Sequence, residues 1–493
     1  MLFIDVGGKM QFNSYVFILL FLPICISGYF SIAYFSKRWG DIFLLCSSIV
    51  FGAFLNIEGF LTLLACTIIN WGEIRVLHCI KCAKIKKWIL SIGIIFNIMI
   101  LFWFKYFNFF VKILNDFFNQ DFLLRDILLP IGISFIVFQQ IAYLVDTYKR
   151  KTEDYTFIEY LLYIFYFPKL LSGPIVFSGS FMEQLKNQNR NRLNFSNISN
   201  GLNLFIIGLA KKILVADVLA KVTTWGMINS DKATSADWII IVLAYTFQIY
   251  FDFSGYTDMA IGVSSMLNIK IPDNFNAPYR ALSIPDFWKR WHITLTDFLR
   301  EYVYFPLGGS KKGYWRTYIN IMIIFLISGI WHGANFTFII WGALHGCGSV
   351  IHRLIKKGYE RLPILVKWGI TFLSINILWA LFWAKDVRQW IHILLSIVYF
   401  DKAGFSTGLI RAFEIPEYTF LLKCFRIPYG NIMIRECWMI VFLSLICCIC
   451  LYFEKGLRRE YKNTIMHGIG MALLFGWTVI SLNAESTFVY FGF

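Results

Sequence analysis

The amino-acid sequence predicts an all-α, polytopic integral membrane protein, and three observations carry that prediction. Of 493 residues, 58% are hydrophobic and only 15% charged, with a mean hydropathy of +0.62, which lies far outside the range of soluble domains. Apolar runs near the ~20 residues that cross a bilayer as helix recur along the whole chain. No polar segment of domain size interrupts them, so a single membrane-embedded domain over residues 1–493 is expected. Backbone groups in lipid must find their hydrogen bonds internally, and runs of this length do so as helices rather than as a barrel.

Taken in order, the apolar runs between polar breaks place helices near residues 15–35, 42–55, 58–73, 88–113, 127–147, 156–172, 200–218, 236–265, 318–331, 335–352, 365–385, 388–400, 437–453 and 464–482. The first follows no basic stretch and lacks a small-residue cleavage site, so it reads as an uncleaved helix with an outside N-terminus. Residues 1–9 read as an N-terminal extension, because Met10 begins a more typical membrane-protein start. The pairs 42–55 with 58–73 and 318–331 with 335–352 are short enough for half-spans, kinked helices or tight hairpins. About ten to twelve true crossings remain. No internal repeat is visible, which weighs against transporters built from duplicated halves.

Between Asp252 and Gly309 the texture changes: Asp252, Ser254, Asp258, Asn274, Asn276, Arg280, Asp286, Lys289, Arg290, His292, Asp297 and Arg300 are too dense to face lipid. Pro272, Pro278 and Pro285 interrupt helix here. This stretch is expected to form re-entrant or in-plane helices, buried inside the bundle or lying at the cytoplasmic face, as the floor and entrance of a cavity within a core region 252–350.

A net charge of +16 invites a nucleic-acid partner, but the cations fall in short clusters between apolar runs, at 37–38, 75–87, 149–151, 353–357 and 455–462. Topology accounts for them as cytoplasmic loops under the positive-inside bias, with no nucleic acid required. Turns near Asn56 and around 115–121 carry few cations and belong outside. Eleven cysteines lie mostly within apolar runs, as buried small hydrophobes do. His78-Cys79-Ile80-Lys81-Cys82 lacks a second ligand pair, so no metal is expected.

His332, in Gly329-Ile330-Trp331-His332-Gly333-Ala334, sits between the apolar runs 318–327 and 336–341. An ionisable ring at membrane depth is costly and is kept mainly where it faces a cavity and does chemistry. Forty positions upstream, Trp288-Lys289-Arg290-Trp291-His292 supplies a second histidine that shares the same site in this reading. The bland alternative for each is a structural histidine bonded between helices, and it is stronger for His292, whose neighbouring cations suggest an interfacial position. His345 lies thirteen residues after His332, about 140° away on a continuous helix, so it is expected to be structural unless a break after Gly333 changes the phase. Asp252 and Asp258 are either ion or proton sites or partners of Lys and Arg. No GxGxxG, P-loop or Gly-x-Ser-x-Gly element occurs.

Further motifs are Leu129-Pro130-Ile131-Gly132-Ile133-Ser134-Phe135, Phe167-Pro168-Lys169-Leu170 with Gly173-Pro174-Ile175, Gly208-Leu209-Ala210-Lys211-Lys212, Tyr250-Phe251-Asp252-Phe253-Ser254-Gly255-Tyr256-Thr257-Asp258, Phe287-Trp288-Lys289-Arg290-Trp291-His292, Trp331-His332-Gly333 and the aromatic end from Phe488 to Phe493. Together they resemble the membrane-bound O-acyltransferases, in particular the bacterial branch of alginate O-acetylation membrane proteins, related to the D-alanyl transfer proteins of teichoic acid synthesis; the resemblance implies a bundle around a central tunnel. The chain's length favours the alginate-like subgroup over the shorter D-alanyl one. The resemblance implies acyl transfer, acetyl by preference, from a cytoplasmic thioester through a tunnel to an acceptor outside an inner (cytoplasmic) membrane. An extracytoplasmic acetyltransferase partner then completes O-acetylation of an exported polysaccharide. It also implies that His332 is the principal catalytic residue and that His292 lies in the same funnel.

Thioester acyl transfer needs a base for the incoming hydroxyl, and a neutral imidazole suits that task. His332 is assigned as that base, and His292 to oxyanion stabilisation, acceptor orientation or proton passage. Trp288, Trp291, Trp331 and Trp341 would line a water-excluding tunnel. Lys289 and Arg290, or the basic loops, would hold the donor's phosphates. No cofactor is bound permanently in this reading, since acetyl-CoA or another acyl thioester is a substrate. The rival readings are D-alanyl-like transfer from a carrier protein, a transporter or channel using the same buried polar residues, and a scaffold for a secreted acyltransferase.

Overall fold

The computed structural model describes residues 10–400, 402–426, 432–453 and 464–482, and every regular element among them is helical. The 1–9 extension, the 455–462 cation cluster and the aromatic end from Phe488 lie outside the described residues. A π-helical turn at Phe17–Phe21 leads into α1 (Leu22–Phe35), followed by α2 (Lys37–Leu55), α3 (Ile57–Cys79) and α4 (Ala83–Leu101). A second π-helical turn, Phe102–Tyr106, joins α4 to α5 (Phe107–Phe118). Next come α6 (Ile133–Tyr148), α7 (Phe157–Phe165), α8 (Ser178–Lys186) and α9 (Phe195–Ala210), the last continuing through a π-helical Lys211–Ala216 into α10 (Asp217–Ile228). The long α11 (Ser235–Met266) precedes the short α12 (Ile284–Trp288) and α13 (Ile293–Leu299). Helices α14 (Tyr314–His332), α15 (Phe336–Tyr359), α16 (Ile364–Trp383), α17 (Val387–Tyr399), α18 (Thr407–Ala412), α19 (Pro416–Cys424), α20 (Ile432–Cys448) and α21 (Ile465–Ile480) complete the bundle.

Among the described residues, eight helices are long and apolar enough to cross a membrane. The pair near 42–73 is not made of half-spans: α2 and α3 have 19 and 23 residues and each qualifies alone. Their helical hydrogen bonds run on through Lys37, Arg38 and Arg75, polar ends that an apolar run leaves out. Asn56 makes the break, its Oδ1 accepting from Gly59 N at 2.9 Å as an N-cap. The helix anticipated over 156–172 stops at Phe165, three residues before Pro168, after starting in a Thr156/Glu159 capping box.

Asp252 and Asp258 belong to α11 rather than to an in-plane segment. The in-plane texture begins only after Met266, where the chain runs irregularly through Pro272 and Pro278 into α12 and α13. Helix α11 is the central post, with 83% of its apolar window buried against 11% for the peripheral Ala83–Phe118. It packs on α9 at backbone distance: a Cβ on Gly208 would stand 2.6 Å from Gly255 O, and one on Gly255 2.8 Å from Gly208 O. Small residues at such crossings let membrane helices meet closely.

Two large apolar clusters form the core, one around α1, α2, α7 and α9, the other around α10, α11 and α16. A third, smaller cluster unites Phe135, Phe138, Ile175, Leu295, Phe298, Leu299 and Trp331. Ion pairs gather the ends of several segments at one pole of the bundle: Arg75 with Asp154, Lys186 with Glu153, Arg190 with Asp41, and Lys151 with Glu301 at 2.9 Å. The Lys151 hydrogen bond holds the Glu301 carboxyl below its ordinary range. This cation-rich pole is opposite the Asn56 turn.

Candidate active site

His332 is the last residue of α14, and Gly333 then adopts an extended conformation before Asn335 caps α15 through Thr337 N at 3.1 Å. The two helices approach tightly, a Cβ on Gly329 falling 3.2 Å from Gly342 Cα. The last carbonyls of a helix have no partner within it. Here the π-helical turn Phe102–Tyr106 supplies them: Tyr106 Oη donates to Ile330 O at 2.7 Å, and Lys105 Nζ donates to Trp331 O at 2.6 Å and His332 O at 3.1 Å. Lys105 also reaches Ser134 Oγ at 3.4 Å and stands over the Trp331 ring at 5.8 Å.

His292 begins α13 in the left-handed region, φ 45° and ψ 52°, a conformation that a non-glycine residue holds only where its surroundings enforce it. The enforcing bonds are visible. Ile293 N donates to Asn274 O at 3.0 Å, Thr294 Oγ1 donates to Asn274 Oδ1 at 2.6 Å and accepts from Ile175 N at 3.0 Å, and Asn276 N donates to Arg290 O at 2.9 Å. The ring contacts Phe253 edge-on at 4.8 Å and lies over Phe135 at 6.3 Å. Neither ring nitrogen of His292 has a hydrogen-bond partner among the described residues.

Trp331 stands between the two histidines, 6.0 Å from the His292 ring and 5.0 Å from that of His332. On its other sides His332 meets Trp341 at 5.2 Å and Phe382 at 5.3 Å. His292, Lys105 and His345 all lie close enough to interact electrostatically with His332. The two histidines anticipated from sequence therefore lie against the same tryptophan.

His345 joins them, which corrects the expectation that it would not converge. The helix breaks between His332 and Phe336, so the phase of a continuous helix does not apply, and Trp341 lies 4.7 Å from the His345 ring. Trp288 Nε1 donates to His345 Nδ1 at 3.1 Å. An indole N–H only donates, so Nδ1 must accept and His345 is held as the neutral Nε2–H tautomer.

The other anticipated residues divide. Trp288 and Trp331 belong to the aromatic shell, whereas Trp291 packs into a neighbouring cluster with Phe275, Phe287 and Trp379 at 5.0, 5.6 and 4.9 Å. Lys289 is exposed, and Arg290 is half-buried and tied to Asp286 at 2.9 Å. Asp252 pairs with Lys212 and Asp258 with Lys211, both at 2.7 Å, so these carboxylates are structural partners.

Among the described residues the histidines occupy a filled shell: His292 is 0%, His345 1% and His332 2% exposed. Two open cavities lie elsewhere, one of about 690 Å³ bordered by Val176, Arg190, Asn268 and Lys270, the other of about 580 Å³ bordered by Glu58, Trp103, Phe104, Arg125 and Pro130. Sequence reading passed over Lys105, although a cation in the apolar run 88–113, which also holds Lys112, carries the same cost that singled out His332.

Imidazoles walled by aromatic rings inside an all-helical membrane bundle suit proton transfer away from water. Such a combination fits a membrane-embedded enzyme. Residues 18–385 match the membrane-bound O-acyltransferase (MBOAT) family, and the chain belongs to it. It is 36% identical to a peptidoglycan O-acetyltransferase of Helicobacter pylori, over 98% of this chain and 97% of the relative. It is also 37% identical to a probable alginate O-acetylase, AlgI, of Pseudomonas aeruginosa, over 77% and 73% respectively. A teichoic acid D-alanyltransferase of Bacillus subtilis is more distant, 28% identical over 47% of this chain and 62% of its own. The chain is thus a multi-pass membrane O-acyltransferase.

Proposed function

We propose that this O-acyltransferase passes an acetyl group from a cytoplasmic thioester, acetyl-CoA by preference, across the inner membrane for O-acetylation of a cell-surface glycan. An extracytoplasmic acetyltransferase partner completes the transfer. The cation-rich pole faces the cytoplasm under the positive-inside bias, so donor and acceptor approach from opposite ends. The end-to-end match to a peptidoglycan O-acetyltransferase favours peptidoglycan as acceptor over an exported alginate-like polysaccharide, whose relatives match three quarters of the chain. The weaker, shorter match to the D-alanyl branch favours acetyl over D-alanyl.

The observation that carries the reading is the placement of His332, at a helix end pinned by Lys105 and within a dry aromatic shell. In the reaction, His332 takes the proton of the acceptor hydroxyl as its oxygen attacks the thioester carbonyl. The C–S bond then breaks, and the thiolate receives the proton from the imidazolium. His292, with no competing partner on its ring, orients the acceptor or steadies the oxyanion. Trp331, lying between the two histidines, must turn aside to admit the acyl group. The transporter reading loses its relay carboxylates to Lys211 and Lys212.

The deciding variant is His332→Ala, assayed in membranes with acetyl-CoA at matched protein abundance. Loss of the general base should cut acetyl transfer by about 10²-fold or more. Undiminished glycan acetylation would leave the chain as a scaffold for a secreted enzyme.

A further inference from the structure

Helix α15 carries a polar stripe that the chemistry of His332 and His292 leaves unused. Thr337, Trp341 and His345 fall four residues apart, on one face of the helix, and are 1%, 0% and 1% exposed. Thr337 Oγ1, Trp341 Nε1 and His345 Nε2 have no hydrogen-bond partner among the described residues. Because Trp288 occupies His345 Nδ1 at 3.1 Å, the imidazole proton is on Nε2 and that atom is a donor. An indole N–H only donates as well. Two buried N–H groups thus lie on adjacent rings, 4.7 Å apart, without an acceptor among the described residues. Buried donors are ordinarily occupied.

Trp341 also meets His332 edge-on at 5.2 Å, so these donors begin beside the general base. Their helix is fixed against the one that bears the base: a Cβ on Gly342 would run into Phe325 O, and one on Gly346 would stand 2.8 Å from Met322 Sδ, both on α14. Glycine at both positions lets the two backbones meet and keeps α15 from sliding along α14. Trp288 braces the same pair, packing on Trp341 at 5.6 Å and on His345 at 5.1 Å. Donors fixed before a reaction stabilise charge that develops during it, because they need no reorganisation at that moment.

We propose that Trp341 Nε1–H and His345 Nε2–H are the oxyanion donors of the acyl transfer. As the acceptor oxygen bonds the thioester carbonyl carbon, the C=O electron pair moves onto the carbonyl oxygen, and these two N–H groups hold the negative charge that results. The pair returns to the carbonyl when the C–S bond breaks, while the proton passes from the hydroxyl through His332 to the thiolate. His292 is then left with acceptor orientation. The assignment rests on the reading of His332 as general base, and it holds for coenzyme A and carrier-protein thioesters alike, since both present the same carbonyl.

The test compares full-length variants in membranes at matched abundance, assayed with acetyl-CoA. Trp341→Phe keeps a ring and deletes the unpaired N–H, so it should leave the melting temperature in detergent near the parent's and lower kcat by about 10²-fold, with KM for acetyl-CoA little changed. His345→Leu should lower kcat to a similar degree. His345→Gln, which offers an oxygen to Trp288 and an N–H in place of Nε2–H, should recover about tenfold of that loss. A trifluoromethyl ketone analogue of acetyl-CoA, hydrated to a tetrahedral centre, should lose affinity in step with kcat, whereas the ethyl thioether of coenzyme A, which has no carbonyl, should bind parent and variants alike. Trp379→Phe is the matched control: its indole N–H is also unpartnered among the described residues and its ring stacks on Trp341 at 5.8 Å, yet its kcat should stay near the parent's. Unchanged kcat in Trp341→Phe and His345→Leu would overturn the assignment, and so would an equal fall in Trp379→Phe or equal losses in His345→Gln and His345→Leu. With His332→Ala inactive, each of those results would leave the general base standing; an active His332→Ala would remove the base and the donors' role with it.

Discussion

Lys105 shows how one side chain can serve both stability and chemistry. An ammonium within an apolar helix is costly, and its cost is offset because α14 ends at His332 with carbonyls that need donors and a partial negative charge that favours a cation. The Phe102–Tyr106 π-turn brings Lys105 and Tyr106 to consecutive carbonyls of that end, and such turns recur at functional sites. Lys105→Met should leave two buried carbonyls unpaired, costing about 1–3 kcal/mol and lowering kcat by letting His332 shift. The readouts are thermal unfolding in detergent and steady-state kinetics, with Lys105→Arg restoring kcat if the cation positions the ring. A kcat lost in proportion to folded protein, with no rescue by arginine, would reduce Lys105 to a structural cap. The imidazoles of His332 and His292 were legible in the sequence because membrane depth makes an ionisable ring conspicuous. His345 was legible only conditionally: the sequence separates 318–331 from 335–352 and allows a break after Gly333, but the direction in which that break turns α15 is set by packing against Trp288 and Trp341.

At the scale of elements, the junction of α9, α10 and α11 concentrates the bundle's buried charge. Lys212 holds Asp252 at 2.7 Å and Asp217 at 3.0 Å, and Lys211 holds Asp258, all next to the Gly208–Gly255 crossing. Breaking a buried pair leaves an uncompensated charge, so Asp252→Asn should destabilise the protein by about 3–5 kcal/mol. That is read as a fall in melting temperature and in membrane abundance. Specific activity of the surviving folded protein should stay near the parent, whereas a proton-relay role for Asp252 would lower specific activity instead. Helix existence was readable from apolar runs throughout this region, since burial in lipid demands them. Helix ends were less so for α2 and α3, which reach past their apolar runs because backbone bonding continues into charged residues; α11 ends within a residue of the expected 236–265, but the pairing of Asp252 and Asp258 with Lys212 and Lys211 on a neighbouring helix was left open. Partners distant in sequence decide such points, and hydropathy along one segment does not register them.

Across the whole molecule, the cation clusters and the ion-paired pole set an orientation that the proposed reaction requires. Helix α3 spans ~35 Å by its 23 residues and the continuous Ala83–Phe118 helix ~54 Å by its 36, against a hydrocarbon core of ~30 Å. The turn at Cys82 and the exposed Gln120 therefore lie on opposite sides of the membrane. With Cys82 as the single cysteine, a membrane-impermeant maleimide should label it only after the inner membrane is opened. Gln120→Cys in a cysteine-free background should react in intact spheroplasts. The reverse pattern would place the ion-paired pole on the outside, where no cytoplasmic thioester reaches. It would also turn the Lys105-pinned end of α14 toward the cytoplasm, so that donor and acceptor would have to exchange entrances.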